Sequence, residues 1–508
     1  MKKIICNWLI VSLVPIVVSA CDGDGKPEAA APPAVPSAST FTQNDPGKAK
    51  PAVPVSDTKI TAIVEPKGQE LKPAIPPVDK PTPPGIAPVK EAAVPEIAPS
   101  APIVDPADTR ARKLVAQMTD DEKIGFTHTD AFVVAGVPGG GAAHIPGLAR
   151  LGIPDLTMAD SSIGAGSGQF PSTTFPATIG LAASWDGQLS YDYGVAIARQ
   201  LRAQGFEMGL GGGANMVRDP RAGRLFEYLG EDPLLSGKLL AQRTKGTQSE
   251  KVIATIKHMV GNEQESWRGA NPFDRVGISS IDERTLREIY MLPFEIAVEE
   301  SEPGNVMCSY NKLRLEGDTQ PLSACEHPHI LTDILKHEWG FKGQVQSDWG
   351  ATHSTAAAIN AGLDEEEWAV PVPLPNFTPD KIKAALKDGS IKAERLNDMV
   401  QRKLRTMIKI GVMDDPAPDN SGLGFAPATD LKAGAALAQK VAEQSLVLLK
   451  NDGSQAPLKL PAAGTKLLPL DAGGLKRIAV IGGHADTAVL AGGGSGDTRV
   501  PSNGSFSS

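Results

Sequence analysis

An α/β fold built on a parallel barrel is predicted for the central part of this 508-residue chain. Apolar, β-branched segments such as "VIATIKH" alternate with segments of helical periodicity such as "SIDERTLREIYMLPFEIAVEES". This alternation favours a parallel barrel or a doubly wound sheet, and the length and number of the units favour a (β/α)8-type TIM barrel over residues 105–412. The formal net charge of −9 and the lack of a dense Lys/Arg run argue against nucleic acid as a partner.

Residues 1–21 have the features of an export signal. Two lysines precede an apolar run that is too short to anchor the chain, and the run ends in "VSAC". This ending resembles a bacterial lipobox, in which Cys21 is lipidated and becomes the new N-terminus, although ordinary cleavage after Ala20 is an alternative. Both interpretations predict an exported protein of the periplasm or cell envelope, and the lipobox interpretation adds a lipid as its only attachment to a membrane.

Residues 22–104 are dense in Pro, Ala, Val and Lys, with fragments such as "KPAIPPVDKPTPPG". Proline removes backbone donors and holds the chain extended, so this composition predicts a disordered tether with polyproline character. We expect the tether to give the globular body reach from its anchor.

The body begins near residue 105. Thr119 and Glu122 form a capping box that opens a second helical run. The stretch "SWDGQLSYDYGVAIARQLRAQG" predicts a helix that ends at Gly205. Further strands are predicted at "NVMCSYN" and "QVQSD", and a further helix at "HILTDILKHEWG".

Residues 413–440 are predicted to link this barrel to a second domain, and residues 441–508 to begin an α/β sandwich that is incomplete. "LAQKVAEQSLVLLKND" predicts an amphipathic helix leading into an apolar run, and "LKRIAVIGG" predicts a parallel-type strand. The Gly-rich stretch that follows lacks the G-x-G-x-x-G spacing and the acidic residue of a dinucleotide site, so no nucleotide cofactor is expected.

Polar residues fall where four predicted strands end. Asp160, the Lys257–His258 pair, Tyr310 and Asp348 each close an apolar run. The carboxyl ends of the strands in a parallel barrel share one face, which is where such barrels carry their active sites. Each residue taken alone could be a helix cap or a surface charge, but their recurrence at four strand ends predicts one shared pocket.

A pocket of this composition suits a polyhydroxylated substrate. Carboxylates accept hydrogen bonds from sugar hydroxyls, and Lys and Arg donate them. A central carboxylate such as Asp348 can attack an anomeric carbon, and retaining glycosidases add a second carboxyl group roughly 5 Å away as the acid/base. Trp349 offers an indole for the apolar face of a pyranose, although simple packing is the commoner role for an indole beside an acid.

The remaining reactive residue types give less specific signals. Cys308 and Cys325 are expected to form either a disulfide or two buried thiols. The histidines at 128, 144 and 353 have no metal-ligand spacing, so no metal is expected, and "GVPGGGAAH" lacks the Lys-Ser/Thr of a phosphate loop.

Four stretches together resemble glycoside hydrolase family 3, the β-glucosidase group, from about residue 110 to the end of the chain. They are "VRDPRAGRLFEYLGEDPLLSG", "IATIKHMVGNEQESWR", "NVMCSYN" and "QVQSDWGATHS". The resemblance implies a TIM barrel followed by an α/β sandwich and a retaining, exo-acting β-glucosidase. It also implies a β-glucoside or β-glucan oligosaccharide as substrate and no cofactor.

The resemblance also implies roles for individual residues. Asp348 would be the nucleophile, Arg224 a bidentate donor to vicinal hydroxyls, and Cys308 and Cys325 a disulfide pair. The residues expected to line the glucose subsite are Asp160, Arg224, Lys257, His258, Arg268, Tyr310 and Trp349.

Two departures from the family pattern stand out. "TMADSSIG" replaces the usual Asp-Gly-Pro turn after Asp160 and leaves the acid in place. The acid/base Glu of the family lies in the second domain, beyond Ser508, and neither Glu263 nor Glu265 is expected to replace it. The sequence is therefore expected to be C-terminally incomplete, with activity reduced for poor leaving groups.

Other functions compete with this one. Relatives that cleave N-acetylhexosaminides carry a His-Asp pair soon after the Lys-His motif, and "GNEQESWRGANPFDR" contains no His. A β-xylosidase or exo-glucanase remains an alternative, because subsites beyond the first sugar lie on variable loops. From another class, the alternative is a tethered sugar-binding lipoprotein without turnover.

Overall fold

The computed structural model describes residues 105–129, 141–166, 170–269, 277–368, 375–419 and 431–451, together with residues 466, 468–485, 489 and 492–498. The predicted signal, the lipidation site Cys21 and the tether over residues 22–104 lie outside the described residues. In the part of the chain that is described, no helix has the length and apolar character needed to cross a bilayer.

In the described part of the chain, nine short strands form two sheets. They are β1 Ala143–Ile145, β2 Leu156–Asp160, β3 Met208–Gly213, β4 Ile253–Met259, β5 Ile278–Ser280, β6 Asn305–Cys308, β7 Lys312–Arg314, β8 Leu322–Ser323 and β9 Gln344–Gln346. The main sheet has the order β1-β2-β3-β4-β6-β9, and β5, β7 and β8 form a small second sheet. The strands predicted at "VIATIKH", "NVMCSYN" and "QVQSD" are confirmed as β4, β6 and β9.

The main sheet differs from the predicted (β/α)8 barrel in two respects. It has six strands among the described residues. Its first strand, β1, pairs antiparallel with β2, whereas the other neighbours in the sheet, β2-β3-β4-β6-β9, pair in parallel. Beyond β9, the described residues continue the sheet through single parallel bridges, from Gln346 to Glu365 and from Glu366 to His128. The α/β class is therefore confirmed, whereas the strand count and the uniform parallel pairing are not.

Helices connect and cover the strands. They are α1 Pro106–Val115, α2 Asp120–Gly125, α3 Thr178–Ala183, α4 Gly187–Ala203, α5 Pro233–Ser249, α6 Glu283–Thr285, α7 Leu292–Ser301, α8 Ala356–Ala361, α9 Pro379–Asp388, α10 Ala393–Ile410 and α11 Leu431–Gln444. The capping box predicted from Thr119 and Glu122 opens α2. Two π-helical segments, Leu286–Tyr290 and His329–Glu338, lie within stretches predicted to be helical.

Both faces of the main sheet are buried, as expected where helices cover parallel strands. Successive residues of β6 show this: Val306 packs in one hydrophobic cluster and Met307 in another. The strand ends are thus held from both sides, and the polar residues that follow them have fixed positions.

The chain after α11 has a different character. Residues 475–483, for which a strand is predicted, are irregular and solvent-exposed, so that prediction is wrong for this structure. A strand needs a neighbour to take up its backbone hydrogen bonds, and no described segment pairs with this one. Part of the predicted linker over residues 413–440 is helical, because α11 begins at Leu431.

Candidate active site

The predicted strand-end residues converge at the carboxyl ends of the parallel strands. Asp160 is the last residue of β2, and Lys257 and His258 lie in β4. Tyr310 and Asp348 each follow their strand by two residues. All five are buried, and the ammonium group of Lys257 interacts electrostatically with both Asp160 and Asp348.

Asp348 has one engaged and one unengaged carboxylate oxygen. The residue is only 4% exposed, and the Trp349 backbone N–H donates to Oδ1 over 2.9 Å. Oδ2 lies 3.6 Å from His258 Nε2, beyond normal hydrogen-bonding distance, and has no hydrogen-bond partner among the described residues. A buried carboxylate oxygen without a partner is costly to maintain, and such groups are found at chemically active positions.

His258 is held as a neutral imidazole. Burial, and then the positive charges of Arg224, Lys257 and Arg268, lower the pKa of His258 well below its ordinary value. The Asn215 side chain accepts from the His258 backbone N–H over 2.8 Å and donates to its carbonyl over 3.1 Å, which fixes the residue at the end of β4.

The two ring nitrogens of His258 have different neighbours, and the Tyr228 hydroxyl lies 3.4 Å from Nδ1. Burial raises the pKa of Tyr228, so its hydroxyl keeps its proton and can donate to Nδ1. Because the Asp348 carboxylate 3.6 Å from Nε2 can only accept, it favours the tautomer with the proton on Nε2.

Tyr310 and Arg268 form the next part of the wall. Burial, and then the charge of Asp348, raise the pKa of Tyr310 well above its ordinary value, so the hydroxyl beside the carboxylate stays protonated. The Arg268 guanidinium lies 4.5 Å from the centre of the Tyr310 ring and pairs with Glu265 over 2.6 Å. Burial raises the pKa of Glu265, and the charges of Arg224 and Arg268 oppose that shift.

Arg224 is the centre of a second group of contacts. Its Nε and Nη2 donate to the two carboxylate oxygens of Glu227 over 2.7 and 2.9 Å. Nη2 also donates to Ser495 Oγ over 3.2 Å. The Arg224 guanidinium is predicted to hold vicinal hydroxyls, but two of its nitrogens are already bonded to Glu227. Its third nitrogen, Nη1, lies outside these bonds.

Glu227 stays ionised in this arrangement. Burial favours its neutral form, but Arg224, Lys257 and the Ser162 hydroxyl outweigh burial and lower the pKa of Glu227 to about 2. The close approach of this loop to the sheet depends on Gly213 at the end of β3, where a Cβ atom would collide with the Glu227 carbonyl oxygen.

Lys257 lies between carboxylates. Burial lowers its pKa, and the charges of Glu227, Asp160 and Asp348 oppose that shift. The half-buried Trp349 packs against the hydrophobic cluster that contains Met307. Cys308, two residues before Tyr310, forms a disulfide with Cys325, and their Cα atoms are 5.2 Å apart.

Glu227 and Ser495 are among the site residues that the sequence pattern does not single out. Glu227 stands three residues after Arg224, but this spacing also suits an ordinary surface pair, and only the fold shows it to be buried. Ser495 lies in "AGGGSG", far from the barrel in sequence, and carries no signal by itself. Among the described residues, no three His, Cys, Asp or Glu side chains are grouped so that they could hold a metal ion.

Comparisons with known proteins give a consistent family. Residues 145–406 match the glycosyl hydrolase family 3 N terminal domain. The chain is 39% identical over 353 residues to a beta-glucosidase of Rhizobium radiobacter, covering 68% of this chain and 39% of that protein. It is 36% identical over 395 residues to an exo-alpha-(1->6)-L-arabinopyranosidase of Bifidobacterium breve, covering 75% of this chain and 46% of that protein.

Solved structures agree with the sequence comparisons. DesR, a beta-glucosidase from Streptomyces venezuelae solved in complex with D-glucose, superposes with a TM-score of 0.59 at 35% identity. The match covers 68% of this chain and 42% of DesR. The chain therefore spans less than half the length of each of these three proteins.

Proposed function

Because the chain belongs to glycosyl hydrolase family 3, we propose that it is a retaining, exo-acting β-glucosidase with Asp348 as its nucleophile. Relatives named as beta-glucosidases support a β-glucoside as the substrate, and the D-glucose bound to DesR supports glucose as the first sugar. The observation that carries the proposal is the Asp348 carboxylate, buried at the end of β9 with Oδ2 outside every hydrogen bond of the described residues.

The neighbours of Asp348 suit this chemistry. Asp160 offers acceptors and Lys257 donors for the hydroxyls of a terminal glucosyl residue. Asp348 would attack the anomeric carbon, forming a glycosyl ester while the leaving oxygen departs with the bonding electrons, and water would then release glucose with its β configuration retained. His258 and Tyr310 would donate to the carboxylate that is regenerated when the ester breaks.

Hydrolysis of 2,4-dinitrophenyl β-D-glucoside, followed by proton NMR, tests the proposal. This leaving group departs without protonation, so formation of the glycosyl ester depends on the nucleophile and the sugar subsite, and water must then attack the ester to release glucose. We expect β-glucose to appear first and the Asp348→Asn variant to release none above background. First appearance of α-glucose, or equal rates for the two proteins, would overturn the proposal.

A second candidate is suggested by the arabinopyranosidases among the relatives. An exo-acting enzyme for arabinopyranosides would use the same nucleophile and differ only in which hydroxyls the subsite accepts. Comparing kcat/KM for p-nitrophenyl β-D-glucoside and p-nitrophenyl α-L-arabinopyranoside distinguishes the two functions. We expect the glucoside to be preferred, and the reverse order would favour the second candidate.

We also propose that the protein is exported and attached to a membrane by a lipid on Cys21. The support is the "VSAC" sequence after a short apolar run. Metabolic labelling with a fatty acid in a bacterial host should mark the wild-type protein and not a Cys21→Ser variant. Absence of label from an exported wild-type protein would favour cleavage after Ala20.

A further inference from the structure

A cleft of about 310 Å³ lies at the amino ends of β6 and β9, whereas Asp348 follows the carboxyl end of β9. Three segments line the cleft: residues 298–304, which lead into β6, residues 339–343, which lead into β9, and residues 405–410 at the end of α10. Parallel barrels carry out their chemistry at the carboxyl ends of the strands, so the proposed reaction gives this cleft no role.

Hydrogen bonds hold both walls of the cleft in place. The Gln248 side chain donates to the Ser301 carbonyl over 3.3 Å and accepts from the Gly304 N–H over 2.8 Å. On the other wall, Arg402 Nη1 donates to the Phe341 carbonyl over 2.8 Å. The cleft is therefore formed before any ligand enters it, which lowers the entropic cost of binding.

The lining of the cleft combines aromatic rings with a free donor. Trp339 and Phe341 lie side by side in its lining, and the buried indole Nε1 of Trp339 has no hydrogen-bond partner among the described residues. Aromatic-lined grooves bind proline-rich segments, whose polyproline II backbone leaves its carbonyls unpaired. A carbonyl of such a segment would satisfy the indole N–H, which is costly to leave buried without a partner.

Two cations of the cleft are already paired. Arg405 forms ion pairs with Asp105 and Asp108 over 2.8 and 3.1 Å, and Lys409 pairs with Glu302. A strongly anionic ligand would have to compete with these carboxylates, so the charges favour a nearly neutral occupant.

The described part of the chain begins at the edge of this cleft. Asp105 Oδ2 accepts from Arg405 Nη2 over 2.8 Å, and the Lys409 ammonium also attracts the Asp105 carboxylate. Both cations belong to the lining of the cleft. The residues that precede Asp105 are therefore attached beside the cleft, at an effective concentration that no separate peptide of the same sequence would match.

Those residues have the composition that the cleft suits. Residues 96–104 read "EIAPSAPIV", in which Pro99 and Pro102 are three positions apart. A polyproline II helix has three residues per turn, so it would present both rings on one face. At 3.1 Å per residue, the nine residues reach about 28 Å from Asp105, which is enough to cross the cleft.

We propose that residues 96–104 dock in this cleft as a polyproline II segment, with Pro99 and Pro102 against Trp339 and Phe341. The cleft is thus the site where the barrel holds the base of its own proline-rich tether. Because the cleft lies at the amino ends of the strands and Asp348 at their carboxyl ends, docking keeps this part of the tether away from the active site.

A photoreactive residue within the segment tests the docking. The full-length protein would carry p-benzoyl-L-phenylalanine in place of Ala101, between the two prolines, and its crosslinks would be mapped by peptide mass spectrometry after irradiation. We expect the main crosslinks within the protein to residues 339–343 and 405–410. The matched control has the same group in place of Thr82, in the more distant stretch "PTPP", and should give no crosslinks to these residues.

Two pairs of substitutions separate docking from mere attachment at Asp105. Pro99→Gly with Pro102→Gly removes both rings and frees the backbone, so we expect the docking equilibrium to fall on the order of tenfold and the crosslink yield to fall severalfold. Pro81→Gly with Pro84→Gly, which alters "PTPP" in the same way, should leave the yield unchanged. Trp339→Ala should lower the yield as the first pair does, and circular dichroism checks that each variant is folded.

Three results would overturn the inference. An unchanged yield in the Pro99→Gly, Pro102→Gly protein would mean that attachment at Asp105 alone brings position 101 to the cleft. Crosslinks to other surfaces, or no crosslinks on folded protein, would mean that the segment does not occupy the cleft. Crosslinked dimers in place of the internal product would assign the cleft to a second copy of the chain. None of these results depends on glycosidase activity, so the proposed function is tested separately.

Discussion

Two buried carboxylates, Asp348 and Asp364, have opposite surroundings. Asp364 accepts two bonds from Lys336 Nζ over 2.8 and 2.9 Å, one from Arg395 over 2.6 Å and one from the Val345 backbone N–H over 2.9 Å. Asp348 accepts a bond from the Trp349 N–H, and its Oδ2 stays outside the hydrogen bonds of the described residues.

The difference shows that burial by itself does not identify the reacting group. Both carboxylates are almost fully buried near β9. A carboxylate with every oxygen bonded to a cation or a backbone N–H is committed to structure, because any rearrangement would leave a buried charge unpaired. A carboxylate that keeps one oxygen unengaged is suited to bind or attack a substrate.

The largest expected effect is on catalysis. Asp348→Asn should lower kcat/KM for 2,4-dinitrophenyl β-D-glucoside by about 10⁴-fold or more, because the amide cannot form the glycosyl ester. The free energy of unfolding should change little, because the side-chain amide can still accept from the Trp349 N–H and only the longer-range attraction to Lys257 is lost. Activity assays and urea denaturation together check this result, and a large loss of stability would mean that Asp348 is a structural residue.

The matching change at Asp364 should lower stability and leave activity nearly unchanged. Asp364→Asn leaves Lys336 and Arg395 without their common partner, so we expect a loss of about 3–5 kcal/mol in the free energy of unfolding. The folded fraction should retain kcat/KM within about twofold. If the Asp364→Asn variant unfolded at the same urea concentration as the wild type, or lost activity without losing stability, the distinction between the two carboxylates would be contradicted.

At acidic pH, the free energy of unfolding should depend on the ionisation of both Glu227 and Asp364. The pKa of Glu227 and that of Asp364 fall to about 2 in the folded protein, from ordinary values of 4.5 and 3.8. At low pH the unfolded chain binds these protons first, so stability is fully present above those ordinary values and is lost as the pH falls towards about 2. Each carboxylate should contribute on the order of a few kcal/mol.

Urea denaturation at a series of acidic pH values measures this dependence. The slope of the free energy of unfolding against pH gives the number of protons taken up on unfolding, and Asp364→Asn should lower that number by close to one. An unchanged slope would mean that the pair is not formed in solution.

The smallest expected effect is at Tyr310, whose hydroxyl lies beside Asp348. Tyr310→Phe removes one donor and keeps the ring under Arg268, so we expect a tenfold loss of kcat, or about 1.4 kcal/mol, with little change in stability. A Leu313→Ala variant, which changes a nearby buried residue of the same cluster, provides a control for packing. A Tyr310→Phe variant as active as the wild type would remove this hydroxyl from the site.

The sequence predicted the buried strand-end residues better than the residues that surround them. Five residues were found because each stands at the end of an apolar run, a signal that depends only on local pattern: Asp160, Lys257, His258, Tyr310 and Asp348. The bidentate partner of Arg224 was missed, because burial of Glu227 depends on how its loop packs against β3.

The fold shows the same division between local and long-range information. β4 and β6 were predicted because their composition favours strands, and their pairing followed from the barrel. The antiparallel pairing of β1 and the single bridges beyond β9 are long-range choices that no local pattern records. The strand predicted over residues 475–483 has strand-like composition, but composition cannot supply the neighbour that a strand requires.

The most direct test of the central claim is to identify the residue that carries the sugar. The full-length protein would be incubated with 2,4-dinitrophenyl 2-deoxy-2-fluoro-β-D-glucoside, digested, and mapped by peptide mass spectrometry, with circular dichroism to confirm that it is folded. We expect one fluoroglucosyl adduct, on Asp348, and none in Asp348→Asn. An adduct on another carboxylate, or no adduct on folded protein, would contradict it, and the absence of any adduct would favour a sugar-binding protein without turnover.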